Sequence, residues 1–259
     1  MRFCSLGSGS GGNATVVEAG TGASLRRVLI DCGFTLRELD RRLARVGLAA
    51  NDLDAVFVTH EHGDHIGSAV ALARRNRLPL WMSRGTWRAV RRPELPSPVR
   101  FARDGEPIAV GDLELHPFTV AHDAEEPLQL RCVHAGRRLG VLTDVGSITP
   151  HMLNNLQDCH ALLLECNHDR EMLAASSYPA SLKARIGGRY GHLDNTTSAE
   201  ILAACLHDGL RHLVAAHLSE QNNRPERVRA ALAAAWTGAR EDIVVADPLH
   251  GCGWIAIAA

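Results

Sequence analysis

The stretch Thr59-His60-Glu61-His62-Gly63-Asp64-His65-Ile66-Gly67 decides how this chain is read. It is an HxHxDH pattern that follows the apolar run Ala55–Val58 and leads into a segment of helical character. The chain's own His and Asp frequencies allow about 0.002 such matches by chance, so composition alone does not produce it. Alternate residues leaving a strand point the same way. His60 and His62 can therefore bind one ion, while Asp64 and His65, one turn on, bind another.

Outward from this motif, strands and helices alternate. Val28–Ile30 reads as a buried strand ending at Asp31. Leu36, Leu39, Leu43 and Val46 share one helical face, with Arg37, Asp40, Arg41 and Arg42 elsewhere. Strand Ala55–Thr59 enters the motif, and a helix is expected from about His65 to Arg75. Pro93, Pro96 and Pro98 mark a surface loop. Residues 100–142 divide into four or five strands at Asp104-Gly105, Gly111-Asp112 and Ala135-Gly136. Beyond Asp144 come a strand at Ala161–Leu164, a polar segment to Gly191, and a helix opened by Thr197, whose spacing to Glu200 is that of a capping box. A strand Leu213–Ala216 then ends at His217, a helix follows Pro225, and strands Ile243–Ala246 and Trp254–Ile257 close the chain. Gly7, Gly9 and Gly12 satisfy GxGxxG, but Asn13–Val17 reads as a strand where a dinucleotide site needs a helix N-terminus. A tight turn between strands is the better reading.

The 259 residues are 46% hydrophobic and 22% charged, the balance of a globular chain with one sizeable core, which excludes disorder. No apolar run approaches a membrane span, and Met1 leads into a polar Gly/Ser segment, so a cytoplasmic protein without membrane partners is expected. The seven cysteines form no CxxC pair and read as small buried hydrophobes. A net charge of −1 exerts no global pull on nucleic acid, so any polyanion site must be local. The Arg-Arg pairs, such as Arg41-Arg42 and Arg74-Arg75, read mostly as polar helix faces. Fourteen His are the more informative excess.

On the HxHxDH motif and the strand-end residues, the sequence resembles the metallo-β-lactamase superfamily over essentially its whole length. The resemblance implies a four-layer αββα sandwich of two mixed β-sheets flanked by helices, as a single domain over residues 1–259. It assigns His60, His62 and His122 to one metal and Asp64, His65 and His217 to the other, with Asp144 shared and Asp31 bracing the metal loop. Two divalent ions, zinc or manganese, are implied. Such a pair lowers the pKa of a shared water toward ~7, and a bridging hydroxide is then the expected nucleophile. With Asp64, Asp144 and hydroxide negative, the centre keeps a formal charge of about +1, which favours an anionic electrophile such as a phosphodiester.

Leu162-Leu163-Leu164-Glu165-Cys166-Asn167-His168-Asp169, Gly191-His192-Leu193-Asp194-Asn195, His217-Leu218-Ser219-Glu220-Gln221-Asn222-Asn223 and the N-terminal Ser5–Asn13 segment look like the YycJ/WalJ family of small bacterial nucleases. That resemblance implies a two-metal phosphodiesterase, a 5′-to-3′ exonuclease on DNA in preference to RNA. Asp64, Glu165 and His192 would be its catalytic residues; by likeness to tRNA-maturation RNase Z, Glu165 would orient His192, and His192 would donate a proton to the leaving oxygen or stabilise the non-bridging phosphate oxygens. Only 47 residues separate Asp144 from His192, too few for a β-CASP insert. An Asp at 194, where the family has Ser, is unexpected beside a phosphate path. Substrate contacts are expected from Lys183, the chain's single lysine, from both tyrosines, Tyr178 and Tyr190, and from Asn222 and Asn223. A thioester or lactone hydrolase of the same fold, or an RNA-processing nuclease, is the alternative. The sequence carries no signature of oligomeric state.

Overall fold

The computed structural model describes residues 1–94 and 99–258. Pro96 and Pro98, two markers of the expected surface loop, lie outside the described residues. The first half of the chain runs β1 (Arg2–Gly7), β2 (Ala14–Ala19), β3 (Arg26–Ile30), α1 (Leu36–Arg45), β4 (Ala55–Phe57), α2 (Gly63–Ile66), α3 (Ala69–Asn76), β5 (Leu80–Met82), α4 (Arg84–Ala89) and β6 (Arg100–Phe101). The second half runs β7 (Ile108–Val110), β8 (Leu113–Thr119), β9 (Leu128–His134), β10 (Arg137–Leu142), α5 (Pro150–Leu156), β11 (Ala161–Glu165), α6 (Arg170–Ala175), α7 (Ala180–Ile186), α8 (Asn195–Cys205), β12 (His212–Ala216), α9 (Pro225–Leu232), β13 (Ile243–Val245) and β14 (Ile255–Ala256).

These strands form two seven-stranded mixed sheets, in the orders β14-β1-β2-β3-β4-β5-β6 and β13-β12-β11-β10-β9-β8-β7. Side chains alternate across each strand, and this alternation builds the layers. Val28, Ile30, Phe57, Val141, Leu163 and Val214 meet in the apolar layer between the sheets. Their neighbours Leu29 and Val56 face α1 and α3 on one outside, and Leu162, Leu164 and Leu213 face α5, α8 and α9 on the other. Both faces of the central strands are thus covered, which is why they read as unbroken apolar runs. The result is the expected αββα sandwich.

The parallel part of each sheet positions the site. Strands β3 to β6 run parallel, as do β10 to β13. Their carboxyl ends gather at one edge of the sandwich, where ligands of open α/β sheets bind. Asp31, Thr59–His65, Asp144, Glu165 and His217 all leave strands there. The two sheets are joined at this edge by a hydrogen bond from Leu128 N–H to the Thr59 carbonyl, 3.0 Å long.

Three local expectations are corrected. The helix expected over residues 65–75 is two helices, because Gly67 turns to φ 31° and its Cα lies so close to the backbone of Cys32 and Gly33 that no Cβ would fit. The helix expected to open at Thr197 is capped by Asp194, whose side chain accepts from Thr196 N–H and Thr197 N–H at 2.9 and 3.1 Å. Arg42 is not on a polar face: it is buried against Phe34 and gives hydrogen bonds to the carbonyls of Leu6 and Pro248. Gly7 must be glycine to admit that guanidinium. The Gly7–Asn13 segment is indeed a turn between β1 and β2, and six of the seven cysteines are buried. No helix among the described residues is long and apolar enough to cross a membrane.

Candidate metal centre

Each histidine of the motif is held by one ring nitrogen and offers the other. His65 Nδ1–H donates to Asp31 Oδ2 at 2.7 Å, leaving Nε2. His62 Nε2–H donates to the carbonyl of Asp123 at 3.2 Å, leaving Nδ1. His122 Nδ1–H donates to the carbonyl of Gly191 at 3.0 Å, and His217 Nδ1–H to Glu165 Oε1 at 3.2 Å, each leaving Nε2. His60 Nε2 is buried with no protein partner. Fixing the tautomer through the far nitrogen is how proteins orient imidazole ligands.

The free nitrogens converge. His60, His62 and His122 bring ligand atoms within 4.8 Å of one another, as do Asp64, His65 and His217, and as do His60, His65 and Asp144 between those two groups. His122 Nε2 and His62 Nδ1 face each other at 3.2 Å, and Asp144 Oδ2 lies against His65 Nε2. Lone pairs pointed at one another repel unless a cation stands between them. The donor set therefore fits two divalent ions, with Asp144 positioned to share them.

Electrostatics agrees with that fit. Burial opposes a proton on His65, but Asp144 and Asp31 outweigh it and hold its pKa well above the usual imidazole range. Burial likewise opposes one on His217, yet Asp144, Asp64 and Glu165 raise it to about 9. The surplus negative charge that would retain a proton is the same charge that draws a metal in its place. His60 is pushed well below the ordinary range by burial first and by the neighbouring histidines second, so it stays neutral, as a ligand must. Asp31, Asp144 and His217 adopt left-handed backbone, with φ of 61°, 56° and 56°. Strain of about 1 kcal/mol or more at each of three strand ends persists where the surroundings hold it, as at binding sites.

Glu165 and His192 stand beside this cluster. Glu165 is fully buried at the end of β11; its Oε2 accepts from Val145 N–H at 2.8 Å and its Oε1 from His192 Nδ1–H at 2.8 Å. His192 Nδ1 also lies 3.0 Å from Asp144 Oδ1. Burial works against a proton on His192, but Glu165 and Asp144 prevail and its pKa stands well above the usual range. With Nδ1 committed, Nε2 is the ring nitrogen left for chemistry.

A model of the beta-lactamase superfamily domain matches residues 26–218. The chain belongs to the metallo-β-lactamase superfamily. It is 34% identical to Exodeoxyribonuclease YycJ of Bacillus anthracis over 232 residues, which cover 88% of this chain and 86% of that protein. It is 32% identical to Exodeoxyribonuclease WalJ of Streptococcus pneumoniae over 231 residues, 87% of this chain and 84% of the relative. Its fold is also that of the metallo-β-lactamase fold protein YhfI from Bacillus subtilis, with a TM-score of 0.74 at 16% identity over 98% of each chain.

The metallo-β-lactamase ligands named from sequence are thus brought together, and so are Glu165 and His192. Of the substrate candidates, Lys183, Asn222 and Asn223 are turned to protein partners. Lys183 Nζ turns to the carbonyl of Ala174, 2.6 Å away, at the end of α6. Asn223 is buried and exchanges side-chain hydrogen bonds with Asn195 at 2.8 and 3.0 Å. Asn222 is buried too, its carboxamide N–H₂ directed at Ser219 Oγ. Tyr178 is half-buried, whereas Tyr190 is exposed on the rim with Arg189 over its ring. The unexpected carboxylate at 194 is the α8 cap and pairs with Arg170 at 2.9 Å.

Asn13 was missed. Its amide Nδ2 lies 3.1 Å from His65 Nε2 and 3.4 Å from Asp64 Oδ2, while Ser8 Oγ accepts from His217 N–H at 2.8 Å and donates to Asn13 Oδ1. The Gly-rich turn therefore braces ligands from both sheets. The signal was a polar residue ending a glycine run, which is common in turns that bind nothing.

Proposed function

We propose that the chain is a metal-dependent phosphodiesterase that degrades DNA as a 5′-to-3′ exonuclease, working in the cytoplasm as one domain over residues 1–259 with zinc or manganese at its centre. The observation that carries this reading is the Glu165–His192 pair, set 2.8 Å apart beside the ligand cluster. An alkoxide leaving group needs a proton, and a histidine held at Nδ1 by a buried carboxylate is built to deliver one from Nε2. A thioester site needs no such donor, because a thiolate leaves without a proton. The similarity to YycJ and WalJ, both named exodeoxyribonucleases, supports DNA as the polymer.

Two divalent ions held by His60, His62, His122, Asp64, His65, His217 and the shared Asp144 would lower the pKa of a bound water and neutralise charge on the phosphoryl oxygens. The chain's own residues do the rest. Asp31 and the carbonyls of Asp123 and Gly191 keep the ligand imidazoles in the required tautomers. Glu165 orients two histidines at once, His192 for the leaving oxygen and His217 for the second ligand group. His192 holds the proton on the side from which the leaving group departs.

A time course on end-labelled, 5′-phosphorylated DNA and matched RNA, with Mn²⁺ or Zn²⁺ added and His62→Ala as the blank, tests the reading. Stepwise loss from the 5′ end of DNA by the wild type alone is the expected result. No cleavage of either polymer by protein carrying two ions would transfer the assignment to acyl substrates.

A further inference from the structure

A small cavity of about 170 Å³ opens beside His192, lined by Asp123, Leu182, Arg185, Ile186 and Gly191. One wall is the half-buried apolar side of α7, Leu182 and Ile186. Across the mouth Arg185 Nε–H donates to Asp123 Oδ2 at 2.7 Å. Among the described residues, the two terminal nitrogens of that guanidinium take no hydrogen-bond partner, and the side chain is 64% exposed. Arg185 is thus pinned at one nitrogen and open at its other two. The neighbouring cations are engaged elsewhere, Lys183 on the carbonyl of Ala174 and Arg189 over Tyr190.

We propose that this cavity is the subsite for the departing terminal nucleotide and that Arg185 binds its 5′-phosphate. The inference rests on the exonuclease reading above and adds an end specificity to it. In hydrolysis from the 5′ end, the water oxygen joins phosphorus, the bond from phosphorus to the 3′-oxygen of the terminal nucleotide breaks, and that oxygen takes the proton. The departing group is then a nucleoside 5′-monophosphate whose 3′-oxygen lies at His192 and whose 5′-phosphate lies at the far side. Arg185 lines the same cavity as His192. Its open N–H groups form the fork that phosphate oxygens accept, and Leu182 and Ile186 offer the apolar surface a sugar or base can cover. A terminal phosphate carries about −1.5 to −2 near neutral pH, against −1 for the Asp123 carboxylate, so it competes well for the guanidinium. The Asp123 carbonyl meanwhile stays on His62. Asp123 keeps Arg185 over the cavity without saturating it.

The test compares metal-loaded wild type, Arg185→Ala, Arg185→Lys and a control, Lys183→Ala. Two readouts are taken: KM on DNA with a 5′-phosphate against DNA with a 5′-hydroxyl, and equilibrium binding of thymidine 5′-monophosphate against thymidine. The wild type and Lys183→Ala are expected to prefer the phosphorylated form in both readouts by about tenfold or more, a typical contribution of a charge-assisted contact. Arg185→Ala should bring both ratios to about one, and Arg185→Lys should recover part of them. Ratios that survive in Arg185→Ala, or a wild type that does not discriminate, overturn the proposal. So does an equal loss on both ends, which would mean that Arg185 acts only by holding Asp123. The mononucleotide readout separates this proposal from the parent reading. If binding follows Arg185 but DNA is not cut, the subsite stands and the exonuclease reading falls. If DNA is cut from its 5′ end but neither ratio depends on Arg185, the reverse holds.

Discussion

The turn from Thr59 to Gly67 and the segment from Arg170 to His192 border the same cleft, yet they are held in opposite ways. In the turn, His60 and His65 are fully buried and Asp31 takes three hydrogen bonds from Thr59 and one from His65. In the segment, α6 buries only Leu173 and α7 buries no residue completely. A cation site needs ligand atoms fixed to a fraction of an ångström, and burial with a second layer of hydrogen bonds supplies that. A wall that meets a polymer gains from the opposite arrangement, because few buried contacts leave a segment free to adjust. The rigid turn carries the candidate metal ligands, and the less buried segment ends at His192 beside them.

Substitutions in the two regions should therefore fail differently. The largest effect is expected from His62→Ala, which removes a ligand from the turn. Metal analysis should show the His60, His62, His122 group emptied, and DNA hydrolysis should fall to the metal-free background. Asp31→Asn removes the charge of the carboxylate that His65 and Thr59 share. Chelator competition should show about 10- to 100-fold weaker metal retention, the usual cost of losing such a partner, with the fold intact by circular dichroism. Unchanged retention would mean that the turn is held without its brace.

What could be read from the sequence follows the same division. His60, His62, Asp64 and His65 lie within six consecutive positions, and a ligand set that close together announces itself. Asp31, Asp144, Glu165 and His217 were legible through the family resemblance, with which their places at the ends of apolar runs agree. Lys183 and Arg185 were not separable that way. They sit two positions apart on one short helix, and which of them faces the cleft depends on where Asp123, 62 residues from Arg185, comes to lie. Asp194 stood out only as an unexpected carboxylate, because its role as the α8 cap shows in its distances to Thr196 and Thr197. Helices α6 and α7 lie in the stretch read only as a polar segment to Gly191 because, at six and seven residues, neither is long enough to show an apolar period.

The smallest expected effect tests Asp194 as the cap of α8. Asp194→Ala deletes the α8 cap and should lower unfolding free energy by about 1 kcal/mol in a denaturant titration. Metal content should not change. A change in DNA affinity with no change in stability would return Asp194 to the substrate path.

The most direct measurement counts metal ions and DNA turnover on the same preparations of wild type and His192→Ala. Two ions per chain in both, with turnover of 5′-phosphorylated DNA lower by about 10² to 10⁴ in the variant, is the expected result for a proton donor that is not a ligand. Loss of an ion from His192→Ala, or turnover equal to wild type with both ions in place, would contradict the division of labour between the metal centre and the Glu165–His192 pair.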